Sequence, residues 1–184
     1  SVADVSQIKK IALKVKKEVN QDNRVIVVVS AMAGVTNNLI NLVKTVSEIP
    51  YYSEHDVVLS TGEQVTSALL ATALNNLNIN ARSWLGWQVP IISDNSYGKA
   101  VIEEIKTDNI LEFLKKNQVA IISGFQGVSK ENRITTLGRG GSDTSAVAIA
   151  AAFSAERCDI YTDVDGVYTT CLLYTSPSPR DSCA

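Results

Sequence analysis

Val25-Ile26-Val27-Val28-Val29-Ser30-Ala31-Met32-Ala33-Gly34-Val35-Thr36 is the stretch on which the fold turns. Residues 25–29 are β-branched throughout and apolar on both faces, without the polar alternation of a half-solvated strand. Such a run suits a strand covered on both sides, as in a parallel sheet lying between helices. Small residues follow and lead into a helical stretch from Asn38 to Val46. On the N-terminal side, Ile8, Ile11, Ala12, Val15 and Val19 recur at helical spacing, with Lys9, Lys10, Lys14, Lys16 and Lys17 largely on other faces. Those lysines read as a solvated face rather than an anion site.

Working outward on the C-terminal side, Thr61-Gly62-Glu63 opens an Ala/Leu-rich helix running to about Asn76. Ala81 to Trp87 and Val89 to Ile92 are short strands, with Pro90 placing the second near an edge. Asn109 to Lys116 is a helix, and Gln118 to Gly124 repeats the buried-strand pattern. After a glycine-punctuated loop, 125–133, come a short strand (Ile134 to Leu137), an Ala-rich helix (about Thr144 to Ala155), a strand (Asp159 to Thr162) and a hairpin turn at Asp165-Gly166. Strands alternating with helices predict an α/β fold, a three-layer α/β/α sandwich with a mostly parallel sheet.

Composition narrows the function classes. The chain has 184 residues, 45% hydrophobic and 20% charged, with a formal net charge of −2, so it carries no basic footprint for nucleic acid or an anionic membrane. Its apolar runs fall short of the roughly 20 residues a membrane helix needs. Cys158, Cys171 and Cys183 make neither a metal spacing nor a disulfide framework, and a reducing, cytoplasmic setting is expected. After Thr170 the composition changes: residues 171–184 hold two of the four prolines and two of the three cysteines and have neither period. That tail is set aside from the fold, as an artefact or a disordered segment.

The strongest chemical signal is Thr136-Leu137-Gly138-Arg139-Gly140-Gly141-Ser142-Asp143-Thr144-Ser145. Glycines after a short strand let backbone approach a ligand, and the following helix aims free N–H groups and a positive dipole end at the loop. Arg139 adds a planar cation suited to a carboxylate or phosphate. Ser142 or Asp143 capping the helix is the plainer reading, but an Arg, paired glycines and a Ser-Asp pair at one helix start favour an anion site. Ser30 to Thr36 forms a second loop, at the C-terminal end of a buried strand, where open α/β sheets bind ligands. Glu63 reads two ways, as a ligand group or as an acid favoured by the dipole in a first helical turn. His55, the single histidine, has no partner pattern.

Together these loops resemble the aspartate kinase family of the amino-acid kinase fold. The matching stretches are Val27 to Met32 with Val35-Thr36, Ser60 to Gln64, Gly124 to Gly127, Thr135 to Asp143, and Tyr161 to Thr170. The resemblance implies ATP-dependent phosphorylation of the L-aspartate side-chain carboxylate, the first step toward lysine, threonine and methionine, with Mg²⁺ as cofactor. It implies that Thr36, Glu63, Arg139 and Gly140 bind the amino acid, Glu63 on the ammonium and Arg139 on the α-carboxylate. Ser142 and Asp143 would stand at the reacting centre, and Ser30, Thr162, Asp163 and Tyr168 would line the nucleotide site. Another amino-acid kinase, such as glutamate 5-kinase, and a non-catalytic ligand-binding remnant are the alternatives.

Two departures from the family pattern shape the expectations. Family members begin with a strand ending in Lys-Phe-Gly-Gly-Thr-Ser-Val or a close variant, of which Ser1-Val2 matches the last two residues. They continue past Tyr168-Thr169-Thr170 with Asp-Pro-Arg, where Cys171-Leu172-Leu173 stands here. Residues 1–170 are therefore read as a partial catalytic domain, incomplete at both ends and without C-terminal regulatory domains. The chain by itself is expected to be inactive, and the whole protein to be a homo-oligomer.

Overall fold

The computed structural model describes residues 4–138, 140–163 and 166–173, with residues 162, 163 and 166–173 described by their backbone alone. Fourteen elements follow in order: α1 (Val5–Asn20), β1 (Arg24–Val29), α2 (Val35–Val46), α3 (Tyr52–Asn76), β2 (Ala81–Trp84), β3 (Ile91–Ser93), β4 (Ile102–Ile105), α4 (Asp108–Leu114), β5 (Val119–Ser123), β6 (Gln126–Ser129), β7 (Ile134–Thr136), α5 (Gly141–Ala152), β8 (Arg157–Asp163) and β9 (Gly166–Leu173). The main sheet has strand order β2-β5-β1-β9-β8. β2, β5 and β1 are mutually parallel, whereas β9 runs antiparallel to both β1 and β8. Four of its five strands thus point the same way.

The continuous β-branched run works as its pattern predicts, with each of Val25 to Val29 buried. Alternate side chains enter two different cores. Val25, Val27 and Val29 join Val119 and Ile121 under α1 and α3, against Ile11, Val15, Leu70 and Leu74. Ile26 and Val28 join Ala120 and Ile122 on the other face, against Ile110 and Leu114 of α4 and Ala146 and Ile149 of α5. Helices therefore cover both faces, which is the expected three-layer α/β/α arrangement. α3 is long and apolar enough to cross a bilayer by length and composition. Its buried stripe, Asp56, Ser60, Glu63, Thr66, Ser67, Leu70 and Leu74, instead faces protein, which makes it a core helix.

Several sequence expectations are corrected. α3 starts at Tyr52, so Thr61-Gly62-Glu63 lies mid-helix and not at its opening. β3 is an interior strand of a second sheet, β4-β3-β6-β7. Pro90 stands just before β3, after a cis Val89–Pro90 bond, where its missing N–H costs the ladder nothing. The loop assigned to 125–133 contains β6, buried at all four positions. β9 runs to Leu173, with Cys171, Leu172 and Leu173 paired to Ile26, Val25 and Arg24, three residues beyond the point where the sequence reading ended the fold. The hairpin between β8 and β9 closes at the Asp163–Gly166 pair; of the turn expected at Asp165-Gly166, Gly166 is instead the first residue of β9 and Asp165 lies outside the described residues.

Candidate functional site: a cleft at the ends of the parallel strands

A cleft of about 550 Å³ opens beyond the C-terminal ends of β1 and β5. The loops that follow parallel strands gather at this edge, so it is the natural ligand position in such sheets. The loop after β1 contributes Ser30, Met32 and Gly34, and α2 contributes Thr36. Glu63 comes from α3, and Gly138, Gly140, Ser142 and Asp143 come from the glycine loop and the first turn of α5.

Six predicted site residues therefore share one cavity: Ser30, Thr36, Glu63, Gly140, Ser142 and Asp143. Arg139 lies outside the described residues, as do the side chains of Thr162, Asp163 and Tyr168. The backbone of Tyr168 pairs with Val29, one residue before Ser30, and Thr162 pairs with Val167 across the β8–β9 hairpin.

Glu63 is 3% exposed. Its Oε1 accepts a 3.2 Å hydrogen bond from the Ala31 N–H, tying α3 to the loop after β1. Oε2 is buried without a hydrogen-bond partner among the described residues. Burial disfavours the charged form and pushes the carboxyl up to about 7, with the Ala31 N–H opposing the shift. Its mid-helix position removes the dipole explanation, which applies only within the first turn.

The start of α5 also decides between two readings. Gly140 is the N-cap, in the left-handed region at φ 74°, and no side chain caps the turn. Ser142 and Asp143 sit inside the helix and are not its cap, so the plainer reading of this motif fails. An uncapped helix start presents N–H groups and the positive dipole end to whatever occupies the cleft. Asp143 Oδ1 is likewise buried without a partner among the described residues.

Sequence reasoning missed Asn37, Leu59, Gly98 and Phe125, which also line the cavity. Gly98 belongs to the turn between β3 and β4, remote from every motif quoted. Phe125 lies inside the quoted stretch Gly124 to Gly127 but was given no role; it has φ 66°, a left-handed conformation that an aromatic residue seldom signals in sequence.

The sequence profile of the amino acid kinase family matches residues 1–171. The chain belongs to the amino acid kinase family. Within it, the chain is 56% identical over 172 residues to an aspartokinase of Rickettsia felis, covering 92% of this chain and 43% of that protein. It is 50% identical over 170 residues to an aspartokinase of Geobacillus stearothermophilus, with coverage of 92% and 42%. The chain thus spans less than half the length of these curated relatives. An aspartate kinase structure from Synechocystis superposes with a TM-score of 0.74 at 43% identity, over 89% of this chain and 27% of that one. E. coli aspartokinase III, solved with aspartate and ADP, gives the same TM-score at 23% identity, covering 85% of this chain and 46% of that one, a likeness of fold.

Proposed function

We propose that this amino acid kinase chain is the catalytic part of an aspartate kinase, transferring the γ-phosphoryl group of ATP to the side-chain carboxylate of L-aspartate. The product is 4-phospho-L-aspartate, the first intermediate toward lysine, threonine and methionine. The observation that carries this reading is one cleft, at the ends of parallel strands, that joins a buried carboxylate to an uncapped helix start. The identity to aspartokinases supports the choice of substrate.

Each residue type suits its role. An amino acid offers an ammonium, and Glu63 has a buried oxygen, without a partner among the described residues, to receive it. The incoming cation would favour the ionised carboxylate and reverse the effect of burial on Glu63. Arg139 is assigned to the α-carboxylate, which its planar fork can hold with two parallel bonds; Thr36 and Gly140 complete the amino-acid side. The nucleophile is a carboxylate of reference pKa about 3.9, ionised at neutral pH, so no strong base is needed. One of its oxygens attacks the γ-phosphorus as the bond to the bridging oxygen breaks, and ADP leaves with that electron pair.

The difficulty is bringing an anion to a triphosphate, so positioning and positive potential dominate. The N–H groups at the start of α5 supply part of that potential, with Ser142 and Asp143 at the reacting centre. Ser30, Thr162, Asp163 and Tyr168 are assigned to the nucleotide. Magnesium travelling with ATP takes most of its oxygens from phosphates and water and needs only one or two carboxylates. Asp143, with a buried oxygen that has no partner among the described residues, fits that requirement; the ion would neutralise charge on the phosphates. We assign the chain to the cytoplasm and the complete protein to a homo-oligomer, with no membrane or nucleic-acid partner.

The test is substrate choice. Protein expressed from the full open reading frame is given ATP with aspartate, glutamate or carbamate in turn, and ADP and the acyl phosphate are followed. Aspartate-dependent turnover is expected, and phosphorylation of either other acid in preference would sink the proposal. In the same assay Arg139→Lys should raise the aspartate KM or lower the rate at saturating ATP, because an ammonium cannot reproduce a two-bond grip. Unchanged constants would remove Arg139 from the site.

A further inference from the structure

A second carboxylate on α3 has no role in the chemistry above. Asp56 is fully buried and accepts three hydrogen bonds from two distant segments. Its Oδ2 takes the N–H of Thr136 at 2.8 Å and the N–H of Gly98 at 3.0 Å. Its Oδ1 takes the Thr136 hydroxyl at 2.8 Å. Thr136 ends β7, and two residues later Gly138 lines the cleft, as does Gly98 itself. The tie is reinforced around it: Ala100 N–H donates to the Thr136 carbonyl at 3.0 Å, and Leu137 N–H to the Phe125 carbonyl at 2.9 Å.

We infer that Asp56 is a positioning residue for phosphoryl transfer, fixing the glycine loop, and with it the amino-acid side of the cleft, relative to Glu63. The inference rests on the reading of the cleft as the aspartate and ATP site. Asp56 and Glu63 lie on the same buried stripe of one helix, seven residues and so about 10 Å apart along the axis. Glu63 binds the loop after β1 through Ala31, and Asp56 binds the strand that feeds the glycine loop. One rigid helix thus sets the separation of the two walls. Misplacing a reacting group by about 1 Å can cost on the order of a hundredfold in rate. A tether carrying three charge-assisted bonds is suited to preventing such a shift. The three bonds made by Asp56 all go to Gly98 and Thr136, the segments that lead to the glycine-loop wall of the cleft.

The experiment compares Asp56→Ala, Asp56→Asn and Thr136→Val with wild type, each expressed from the full open reading frame. Aspartate and ATP are varied separately at a temperature well below each melt. Asp56→Ala should lower kcat/KM for aspartate on the order of a hundredfold, while KM for ATP moves by less than about twofold. Asp56→Asn should recover most of the loss. Its amide oxygen can accept both N–H groups, and its amide nitrogen can donate to the Thr136 hydroxyl oxygen. Thr136→Val removes one bond of three and should fall between the two, so it decides the matter if the alanine variant does not fold. Amide exchange should quicken at Gly98 and from Thr136 to Gly138 in Thr136→Val, with β5 unchanged. Kinetics equal to wild type, losses for aspartate and ATP in proportion, or exchange raised uniformly would each overturn the inference alone. A wild-type protein without aspartate-dependent turnover would overturn the kinase reading and the inference with it.

Discussion

The first turns of α3, around Asp56, and its middle, around Glu63, place the same chemical group on the same buried face with opposite outcomes. Asp56 is met by three donors. Among the described residues Glu63 is met by one, on one oxygen, and its other oxygen has no partner. A buried acid with its acceptors filled belongs to the architecture, because removing it leaves buried donors stranded. A buried acid left half-filled carries a cost that the chain alone does not offset, and a cationic ligand is what would offset it. Burial alone does not separate the two carboxylates; counting partners does.

The contrast should appear first in stability. Asp56→Ala should cost about 2–6 kcal/mol, since the two buried donors of Thr136 lose their acceptor at about 1–3 kcal/mol each, whereas Gly98 is exposed and can turn its N–H to water. Glu63→Ala at pH 8 should change stability by about 1 kcal/mol or less, because it also removes a carboxylate held in a poor environment. Urea unfolding of the two variants side by side measures this, and equal losses would erase the distinction.

The next effect is pH-dependent and belongs to Glu63. A carboxyl whose pKa rises from 4.5 in the reference state to about 7 in the fold binds its proton more tightly when folded. Its contribution is complete below about pH 4.5, shrinks as pH rises, and is gone above about pH 7, a total of roughly 3 kcal/mol. Glu63→Gln keeps an oxygen for the Ala31 N–H and does not titrate. The stability difference between wild type and Glu63→Gln should therefore fall across that window, and a flat difference would mean that Glu63 is better solvated than its burial implies.

Ligand binding should give a somewhat smaller change. Glu63→Ala should weaken aspartate by about 1.5–3 kcal/mol, roughly ten- to more than a hundredfold, while leaving ATP nearly untouched. Titration calorimetry of each ligand checks it, and equal weakening of both would move Glu63 into the architectural class with Asp56. Smallest of all, aspartate binding near pH 6.5 should release a fraction of a proton from Glu63, seen as a dependence of the binding enthalpy on buffer ionisation. Glu63→Gln should abolish that dependence.

The layers of the fold were legible because β1 and β5 are apolar on both faces, a pattern that solvent-facing strands do not carry. The glycine loop was legible because Gly140 and Gly141 stand together at the start of a helix. The start of α3 was not. Tyr51 occupies its N-cap without a side-chain hydrogen bond, whereas Ser60 and Thr61 followed by Glu63 imitate a capping sequence. Gly62, poor in a helix interior, strengthened that false start. Its reason is tertiary: a Cβ there would stand 2.9 Å from the Ala31 Cβ, so the helix crosses the loop after β1 where only hydrogen fits. The role of Asp56 was invisible for a related reason. Its partners, Gly98 and Thr136, are 42 and 80 residues away, and no local pattern encodes them.

Because Asp56 and Glu63 share one continuous helix, their relation is one of phase as well as length. Inserting a single residue between them would advance Glu63 by only about 1.5 Å but swing it about 100° around the axis. The acid would leave the cleft while Asp56 kept its hold on Thr136. The segment from 56 to 63 can therefore exchange its outward-facing side chains freely, yet it tolerates no change in residue count. Insertions and deletions should be purged there as strictly as substitutions at either carboxylate, although most of the intervening residues touch no ligand.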